Sequence, residues 1–422
     1  MERSAAGGTR AAFVTVISLF FAWGFITSMI DPLIAAVKGI YSLSDREALL
    51  TQFAFFISYG IISLPAAALL TKAGHVRTIL YSLAAMLAAC MIILLATFIE
   101  TYSVVLFGLF VLGSGITALQ VAANPLSASL GDAKGSHFRL VFSQAFNSLG
   151  TVIGPYLGAR IMLQGSAHES EAAVDAAART EALGHIHTAF LVIAALMALL
   201  ILFIWASRRR IEAAAPAPTV SASPWGALRS RWALFGALAI FLYVGAEVSI
   251  GSLLALFLAE ERIFDMPIQQ AAELVSLYWL GAMVGRFAGS ALLTRFRAAP
   301  LLALAAAGAV LLCLVALGAS GSVAGWAAIA VGLFNSIMFP TIFTLTLERS
   351  SASHASTSGL LCVAIVGGAF LPQLYGWVAD EAGRNAAYVV PALAYAAIAA
   401  FAWAAGRAAV RVGDVDPAAT VH

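Results

Sequence analysis

The chain has 422 residues, of which 62% are hydrophobic and only 10% are charged, with a mean hydropathy of +0.94 and a net charge of +2. Soluble domains carry about 25% charged residues. This composition therefore excludes an ordinary soluble enzyme and favours a protein whose helices lie in a lipid bilayer.

Twelve apolar stretches of about 20 residues or more follow one another along the chain, each bounded by charged residues or by Gly, Ser or Pro. We call them spans 1 to 12, and they cover residues 13–37, 48–71, 78–99, 102–127, 138–162, 186–206, 232–259, 269–293, 299–319, 323–347, 355–379 and 386–406. The first stretch is too long for a signal-peptide core and no small-residue cleavage site follows it, so we expect it to be retained.

The basic residues predict how the spans are oriented. With both termini in the cytoplasm, the inner segments hold sixteen Lys and Arg residues and the outer loops hold six. Cytoplasmic loops normally carry such an excess. Because the basic residues follow one side of the membrane and not one face of a domain, no nucleic-acid-binding surface is expected.

The second half of the chain repeats features of the first half. A basic stretch at 207–230 is typical of a flexible cytoplasmic linker, and it separates two six-helix bundles at 1–206 and 231–422. The pattern F-x3-G-x3-S of span 1 recurs in span 7, ALLTK after span 2 recurs as ALLTR after span 8, and a Gly–Pro spacing of span 5 recurs in span 11. Two parallel repeats predict a binding site at their interface near mid-membrane, with rigid-body rocking of the halves.

Away from the ends of the spans, the membrane interior retains three charged residues, namely Asp31 in span 1, Glu247 in span 7 and Arg286 in span 8. Charges at membrane depth are costly, by roughly 3 kcal/mol on insertion scales, and they usually mark a transport pathway or an ion pair. Glu247 and Arg286 are candidates for a buried ion pair. Asp31 has no basic neighbour closer than Lys38, so a functional role on a pathway is favoured over a structural ion pair.

Uncharged polar residues predict what the site binds. Gln120 and Asn124 lie one turn apart on one face of span 4, and Gln144 and Asn147 lie on one face of span 5. Amides offer paired donors and acceptors, which suit the vicinal hydroxyls of a sugar. The candidate substrate-binding residues are Trp23, which could stack on a pyranose face, together with Ser28, Gln120, Asn124, Gln144, Asn147 and Asn335.

Two stripes of glycine at every fourth position let helices approach closely in lipid. They comprise Gly150, Gly154 and Gly158 in span 5 and Gly281, Gly285 and Gly289 in span 8. One interpretation is a tight but movable seam between the two bundles. The alternative is ordinary helix packing within one bundle.

No cofactor or metal site is expected. Cys90, Cys313 and Cys362 stand singly inside spans, so neither a disulfide framework nor a CxxC metal site is predicted. His185 and His187 could pair on a metal but lie near an outer loop. No histidine lies inside a span, apart from the start of span 6, so an intramembrane enzyme with a nucleophile and base is disfavoured.

Several motifs together resemble one transporter family. The segments FFAWGF followed by DPL, LQVAANP, HFRLVFSQAFNSLG, YVGAEVSIGS and GLFNSIMFPTIFTL are similar to the fucose:proton symporter family of the major facilitator superfamily, and the last two resemble its glucose/galactose transporter branch. The resemblance runs from span 1 to span 11.

The resemblance implies a twelve-helix fold of two pseudo-symmetric bundles and uptake of a monosaccharide with a cation, usually a proton, across the inner membrane of a bacterium. It implies that Asp31 is the proton-linked carboxylate, that Gln144 and Asn147 line the sugar cavity, and that the protein is a monomer. Fucose permeases carry a glutamate where this chain has Gln120. That departure disfavours fucose itself and a relay through two carboxylates.

The alternatives to a proton–hexose symporter can be stated as distinct classes. Sodium could replace the proton, because Asp31, Ser28 and backbone carbonyls could coordinate it. A membrane-embedded sugar receptor would share the fold but not the turnover. A drug exporter is disfavoured by the Gln and Asn clusters, and a channel would not need two repeated halves.

Overall fold

The computed structural model describes residues 2–29, 33, 40–41, 45–162, 176–215 and 225–410, and every regular element in these ranges is helical. The chain divides into two compact units, Met1–Pro218 and Thr219–His422. Asp31 lies outside the described residues.

The described part of the first unit consists of long helices. They are α1 Glu2–Ser28, α2 Asp45–Ile99, α3 Tyr102–Ser129, α4 Ser136–Met162 and α5 Ala176–Ala214. α2 covers spans 2 and 3, which meet at Gly74, where a φ of 78° interrupts the helical conformation. α3 packs along α2, and α1 packs along α4.

The last helix of the first unit is longer than the sequence predicted. α5 continues through residues 207–214, the start of the predicted linker. The letters SRRRIEAA there are rich in Arg, Ala and Glu, which favour helix. Pro216 follows shortly in the sequence, and a proline disfavours the helical conformation of the residue before it.

The second unit is built around its first helix. Its helices are α6 Arg231–Leu258, α7 Ile268–Leu292, α8 Ala298–Gly318, α9 Gly321–Asn335, α10 Met338–Arg349, α11 His354–Val363, α12 Gly367–Ala382, α13 Arg384–Ala387 and α14 Val389–Arg407. α6 contacts α7, α10, α12 and α14, while α8 packs against α9 and α14. The Ser230 side chain caps α6 by accepting a hydrogen bond from the Ala233 amide.

Two predicted spans of the second unit are not continuous helices. Span 10 breaks between α9 and α10 at Ser336 and Ile337, and span 11 contains a short 3-10 segment, Ala364–Val366, between α11 and α12. Pro340 stands four residues after Ser336, so the Ser336 carbonyl has no amide to accept from along the helix. The break therefore provides a free backbone acceptor inside the span.

Glycines of the two units make corresponding close contacts. A Cβ atom at Gly150 in α4 would overlap the Phe21 carbonyl of α1, and one at Gly367 in α12 would overlap the Phe241 carbonyl of α6. The helix pairs α1–α4 and α6–α12 thus pack through glycines that occupy corresponding positions in the two sequence repeats. The repeated residues serve a repeated packing arrangement.

Within the described residues, nine helical stretches are long and apolar enough to cross a membrane. One of them, Phe53–Ile99, is 47 residues long and holds spans 2 and 3, whereas spans 5 and 8 correspond to α4 and α7 and are not among the nine. The predicted all-α class is confirmed, and the merged helix accounts for part of the difference from twelve.

Candidate functional site

A cluster of buried polar side chains occupies the first unit. The Gln120 side-chain amide donates a hydrogen bond to the Tyr59 hydroxyl at 2.7 Å, which joins α3 to α2. The Gln144 amide donates to Asn124 Oδ1 at 3.3 Å, which joins α4 to α3. All four side chains are buried. The structure therefore brings Gln120, Asn124 and Gln144 into one polar cluster that spans three helices.

One donor in this cluster has no partner. Asn124 is fully buried, and its Nδ2 atom makes no hydrogen bond to the described residues. Leaving a buried donor unpaired costs about 1–3 kcal/mol. A hydroxyl oxygen of a bound ligand is a chemically suitable acceptor for it, since a hydroxyl both donates and accepts.

The remaining candidates of the first unit lie where α1 meets α4. Asn147 donates through Nδ2 to the Phe20 carbonyl at 3.1 Å. Trp23 is buried, and its ring centroid lies 4.4 Å from that of Phe20. Ser28 donates to the carbonyl of Phe25 in its own helix. These contacts fix the side chains but also use the Asn147 and Ser28 donors within the protein.

The two charged residues of the second unit lie close together. Arg286 Nη2 is 3.9 Å from Glu247 Oε1, and both side chains are largely buried, with 12% and 13% of their surfaces exposed. Tyr243, one turn before Glu247 on α6, donates to the same Oε1 atom at 2.7 Å. Glu247 and Arg286 thus form the candidate ion pair at the long end of the distance range for such pairs. The Tyr243 hydroxyl is hydrogen-bonded to the same carboxylate.

Asn335 connects this pair to the break in span 10. Its Nδ2 atom donates to the Tyr278 hydroxyl at 2.7 Å, and its backbone carbonyl accepts from the Tyr243 hydroxyl at 3.2 Å. The Ser336 carbonyl, which has no amide partner along its own helix, accepts a hydrogen bond from Arg286 Nε at 3.1 Å. The second unit therefore holds a connected network of two tyrosines, an arginine, a glutamate and an asparagine.

The glycine stripes contact helices of their own unit. A Cβ at Gly154 would stand 2.6 Å from the Phe25 carbonyl, and one at Gly285 would stand 2.7 Å from the Leu333 carbonyl. These are contacts of α4 with α1 and of α7 with α9, which agrees with ordinary helix packing within one bundle. The seam between bundles stays a prediction for these six glycines.

Three tyrosines of the site escaped the sequence analysis, namely Tyr59, Tyr243 and Tyr278. A buried tyrosine hydroxyl usually finds a hydrogen-bond partner, so a tyrosine in the middle of a membrane span is a detectable signal. Tyr243 also stands four residues before Glu247, which places both on one face of a helix. Neither sign was used in predicting the site.

The described residues contain no group of three or more His, Cys, Asp or Glu side chains arranged to hold a metal ion. His187 Nδ1 lies 3.1 Å from Thr97 Oγ1, and the ring packs edge-on against Phe98. The contacts of the site are hydrogen bonds and one ion pair. Such an arrangement suits recognition of a neutral polyhydroxyl ligand.

Comparison with known proteins shows which family has this architecture. Residues 12–362 match the family model of the Major Facilitator Superfamily. The chain is 39% identical over 389 residues to a glucose/galactose transporter of Brucella abortus, covering 92% of both chains. It is 31% identical over 406 residues to the L-fucose-proton symporter of Escherichia coli, again with 92% of both chains covered.

The fold agrees with a solved structure. The crystal structure of the Escherichia coli fucose:proton symporter superposes with a TM-score of 0.85 at 28% sequence identity, covering 95% of this chain and all of that one. Both the family model and the full-length relatives extend over both units. The chain therefore belongs to the Major Facilitator Superfamily.

Proposed function

We propose that this protein takes up a monosaccharide by cation symport and that the cation is a proton. Hexoses of the glucose and galactose type are the proposed substrates. The protein acts as a monomer in the cytoplasmic membrane of a bacterium, with both termini inside, and works by alternating access of its two six-helix halves. The proposed substrate class follows relatives that bear the name glucose/galactose transporter.

The observation that carries this proposal is the polar cluster of the first unit. Gln120, Asn124 and Gln144 are buried among apolar helices, and the Asn124 amide retains an unpaired donor. Apolar packing gives no reason to bury three amides there, because each needs partners. A sugar presents several hydroxyls at neighbouring carbons and supplies partners of both kinds.

The neutral Gln120 supports glucose or galactose over fucose. The fucose permeases that the sequence resembles carry an acid at this position, and here the amide donates to Tyr59. A neutral amide offers a sugar both a donor and an acceptor but no charge. We assign the coupling proton to Asp31 alone.

Proton entry gives enough free energy for uptake. One charge moving across 100 mV is worth about 2.3 kcal/mol, which corresponds to an approximately fifty-fold accumulation of a neutral sugar. Protonation of Asp31 from outside allows the loaded carrier to change its access, and release of the proton inside resets it.

Purified protein in proteoliposomes tests this function. A panel of labelled glucose, galactose, fucose and N-acetylglucosamine is offered with an inward proton gradient, an inward sodium gradient or neither, and protein-free liposomes serve as the control. We expect glucose or galactose to accumulate with the proton gradient alone. Accumulation with sodium alone identifies a sodium symporter, and binding without counterflow of labelled sugar identifies a receptor. Absence of binding by every sugar refutes the proposal.

A further inference from the structure

Glu247 is a charged residue near the middle of a membrane-spanning helix with part of its surface accessible. It stands well inside α6, Arg231–Leu258, and 13% of its side chain is exposed. Charged side chains at membrane depth face the bundle interior or a water-filled space and avoid lipid. The accessible part of this side chain therefore faces the bundle interior or a water-filled space, and not lipid.

One oxygen of this carboxylate is occupied and the other is free. Oε1 accepts the hydrogen bond from Tyr243 at 2.7 Å and lies 3.9 Å from Arg286 Nη2. Within the described part of the chain, Oε2 makes no hydrogen bond. Because an ionised carboxylate can accept about four hydrogen bonds, Glu247 retains most of its capacity as an acceptor.

The surrounding contacts hold the carboxylate in place. The Glu247 backbone carbonyl accepts a hydrogen bond from the Tyr278 hydroxyl at 3.2 Å, and Tyr278 in turn accepts one from Asn335. The Tyr243 hydroxyl also lies 3.2 Å from the Asn335 carbonyl, so its single hydrogen is shared between that oxygen and Oε1. A group fixed in this way loses little conformational entropy when a ligand binds.

The charge of Glu247 is balanced by Arg286, which is itself fixed by the Ser336 carbonyl. Among the described residues, the titratable and charged groups packed against the glutamate are Tyr243 on its own helix and Tyr278 and Arg286 on α7. An arginine beside the carboxylate favours its ionised form.

We propose that Glu247 is a sugar-binding residue whose Oε2 atom accepts a hydrogen bond from one hydroxyl of the substrate. The proposal rests on the sugar-transport function proposed above and deepens it by naming an acceptor in the second unit. Hydrogen bonds to ionised groups are stronger than neutral ones. Glu247 thus makes the carrier selective for sugars that bear this hydroxyl.

Competition by deoxy sugars tests the proposal. Labelled glucose is bound to wild type and to Glu247→Gln, and glucose and its 2-, 3-, 4- and 6-deoxy derivatives compete. In wild type, one deoxy sugar should bind about ten- to a hundredfold more weakly than glucose because it lacks the Glu247 contact. In Glu247→Gln, this difference in affinity between glucose and its deoxy derivative should become smaller at the same position alone. The differences at the other positions should persist.

Two controls separate binding from folding. Ser249→Ala removes a hydroxyl of the same helix that donates to its own turn, and it should leave the affinity difference at every position unchanged. Tyr243→Phe keeps both charges and should reduce the affinity difference at the Glu247 position by a smaller factor, so it carries the test if Glu247→Gln does not fold.

One result overturns the proposal while leaving the sugar-transport function in place. It is wild-type sugar binding in which Glu247→Gln and Tyr243→Phe leave the affinity differences unchanged at every position. If wild type binds no sugar at all, the proposed function itself fails and this inference fails with it.

Discussion

At the residue scale, the polar cluster of the first unit couples residues that are far apart in sequence. Gln120 reaches Tyr59 across 61 positions, and Gln144 reaches Asn124 across 20. Each amide is held by one hydrogen bond within the protein and keeps further capacity for a ligand, because a side-chain amide has two donors and two acceptor lone pairs. We expect such partial satisfaction of a binding residue, and it supports the prediction that these amides meet a sugar.

Replacing Gln120 tests this distinction. In Gln120→Ala, the Tyr59 hydroxyl loses its donor and the sugar loses a partner, so we expect affinity for glucose or galactose to fall about tenfold. Gln120→Glu should shift the preference toward fucose or add a second titrating group to the pH profile of transport. The measurement is competition by unlabelled glucose, galactose, fucose and N-acetylglucosamine against bound label.

Ser114→Ala on the same helix is the matched control for Gln120→Ala. The Ser114 hydroxyl donates to the Phe110 carbonyl one turn earlier, so its removal should not change sugar affinity. Unchanged affinity and an unchanged order of competitors in Gln120→Ala would make Gln120 a packing residue. The sugar site would then be sought around Gln144, Asn147 and Asn335.

The sequence could predict the amides of the site but not their partners. Spacing of four residues places Gln120 and Asn124 on one helical face, and this holds for any α-helix. The tyrosine that holds Gln120 comes from another helix, and only the packing of the helices decides which tyrosine that is. Asp31, the carboxylate to which we assign coupling, lies outside the described residues, so its role stays a prediction.

At the element scale, helix pairs in both units approach through glycines. α4 contacts α1 at Gly154, and α7 contacts α9 at Gly285, where a Cβ would meet backbone carbonyls. Span 10, predicted as continuous, is broken after Asn335. Pro340 was visible in the sequence, but the location of the break also depends on Arg286 and Tyr243, which bind the carbonyls of Ser336 and Asn335.

Alanine at these glycines should destabilise the protein. We expect Gly154→Ala and Gly285→Ala to cost about 1–3 kcal/mol each, because the added methyl group forces the two helices apart. The readout is the thermal midpoint of unfolding in detergent. The larger change to leucine at either position should also stop transport while leaving membrane insertion intact.

Helical glycines with open surroundings are the controls. A methyl group added at Gly184 in α5 or at Gly376 in α12 would meet no neighbouring atom within 4 Å, so alanine there should keep or raise the thermal midpoint. Equal midpoints for all four alanine variants would show that the contacts at Gly154 and Gly285 relax freely. Normal transport by both leucine variants would also remove the predicted seam.

At the scale of the whole molecule, the internal repeat of the sequence agrees with the two related halves of the family's fold. The resemblance noted in the sequence is confirmed by the match to the Major Facilitator Superfamily over residues 12–362, and with it the prediction of a transporter and not an enzyme. The six-helix halves of such a fold are related by repeated packing, here visible at Gly150 and Gly367. Coupling is a different property, because in the proposed mechanism it depends on one titrating group whose protonation decides which way the carrier opens.

Asp31→Asn tests how the whole carrier is coupled. The asparagine keeps the size and hydrogen-bonding ability of a protonated aspartic acid but cannot release a proton. We therefore expect the variant to bind sugar and to exchange labelled for unlabelled sugar across the membrane, while losing accumulation at every imposed proton gradient. Its exchange rate should also become independent of pH over the range in which wild-type transport changes. Counterflow and gradient-driven uptake, measured in the same proteoliposomes, separate these two activities.

Glu260→Gln is the matched control for Asp31→Asn. The Glu260 carboxylate lies in a loop of the second unit, where it pairs with Arg262 and Arg384, so its replacement should leave coupling intact. Wild-type accumulation by Asp31→Asn with a proton gradient would remove Asp31 from the coupling role.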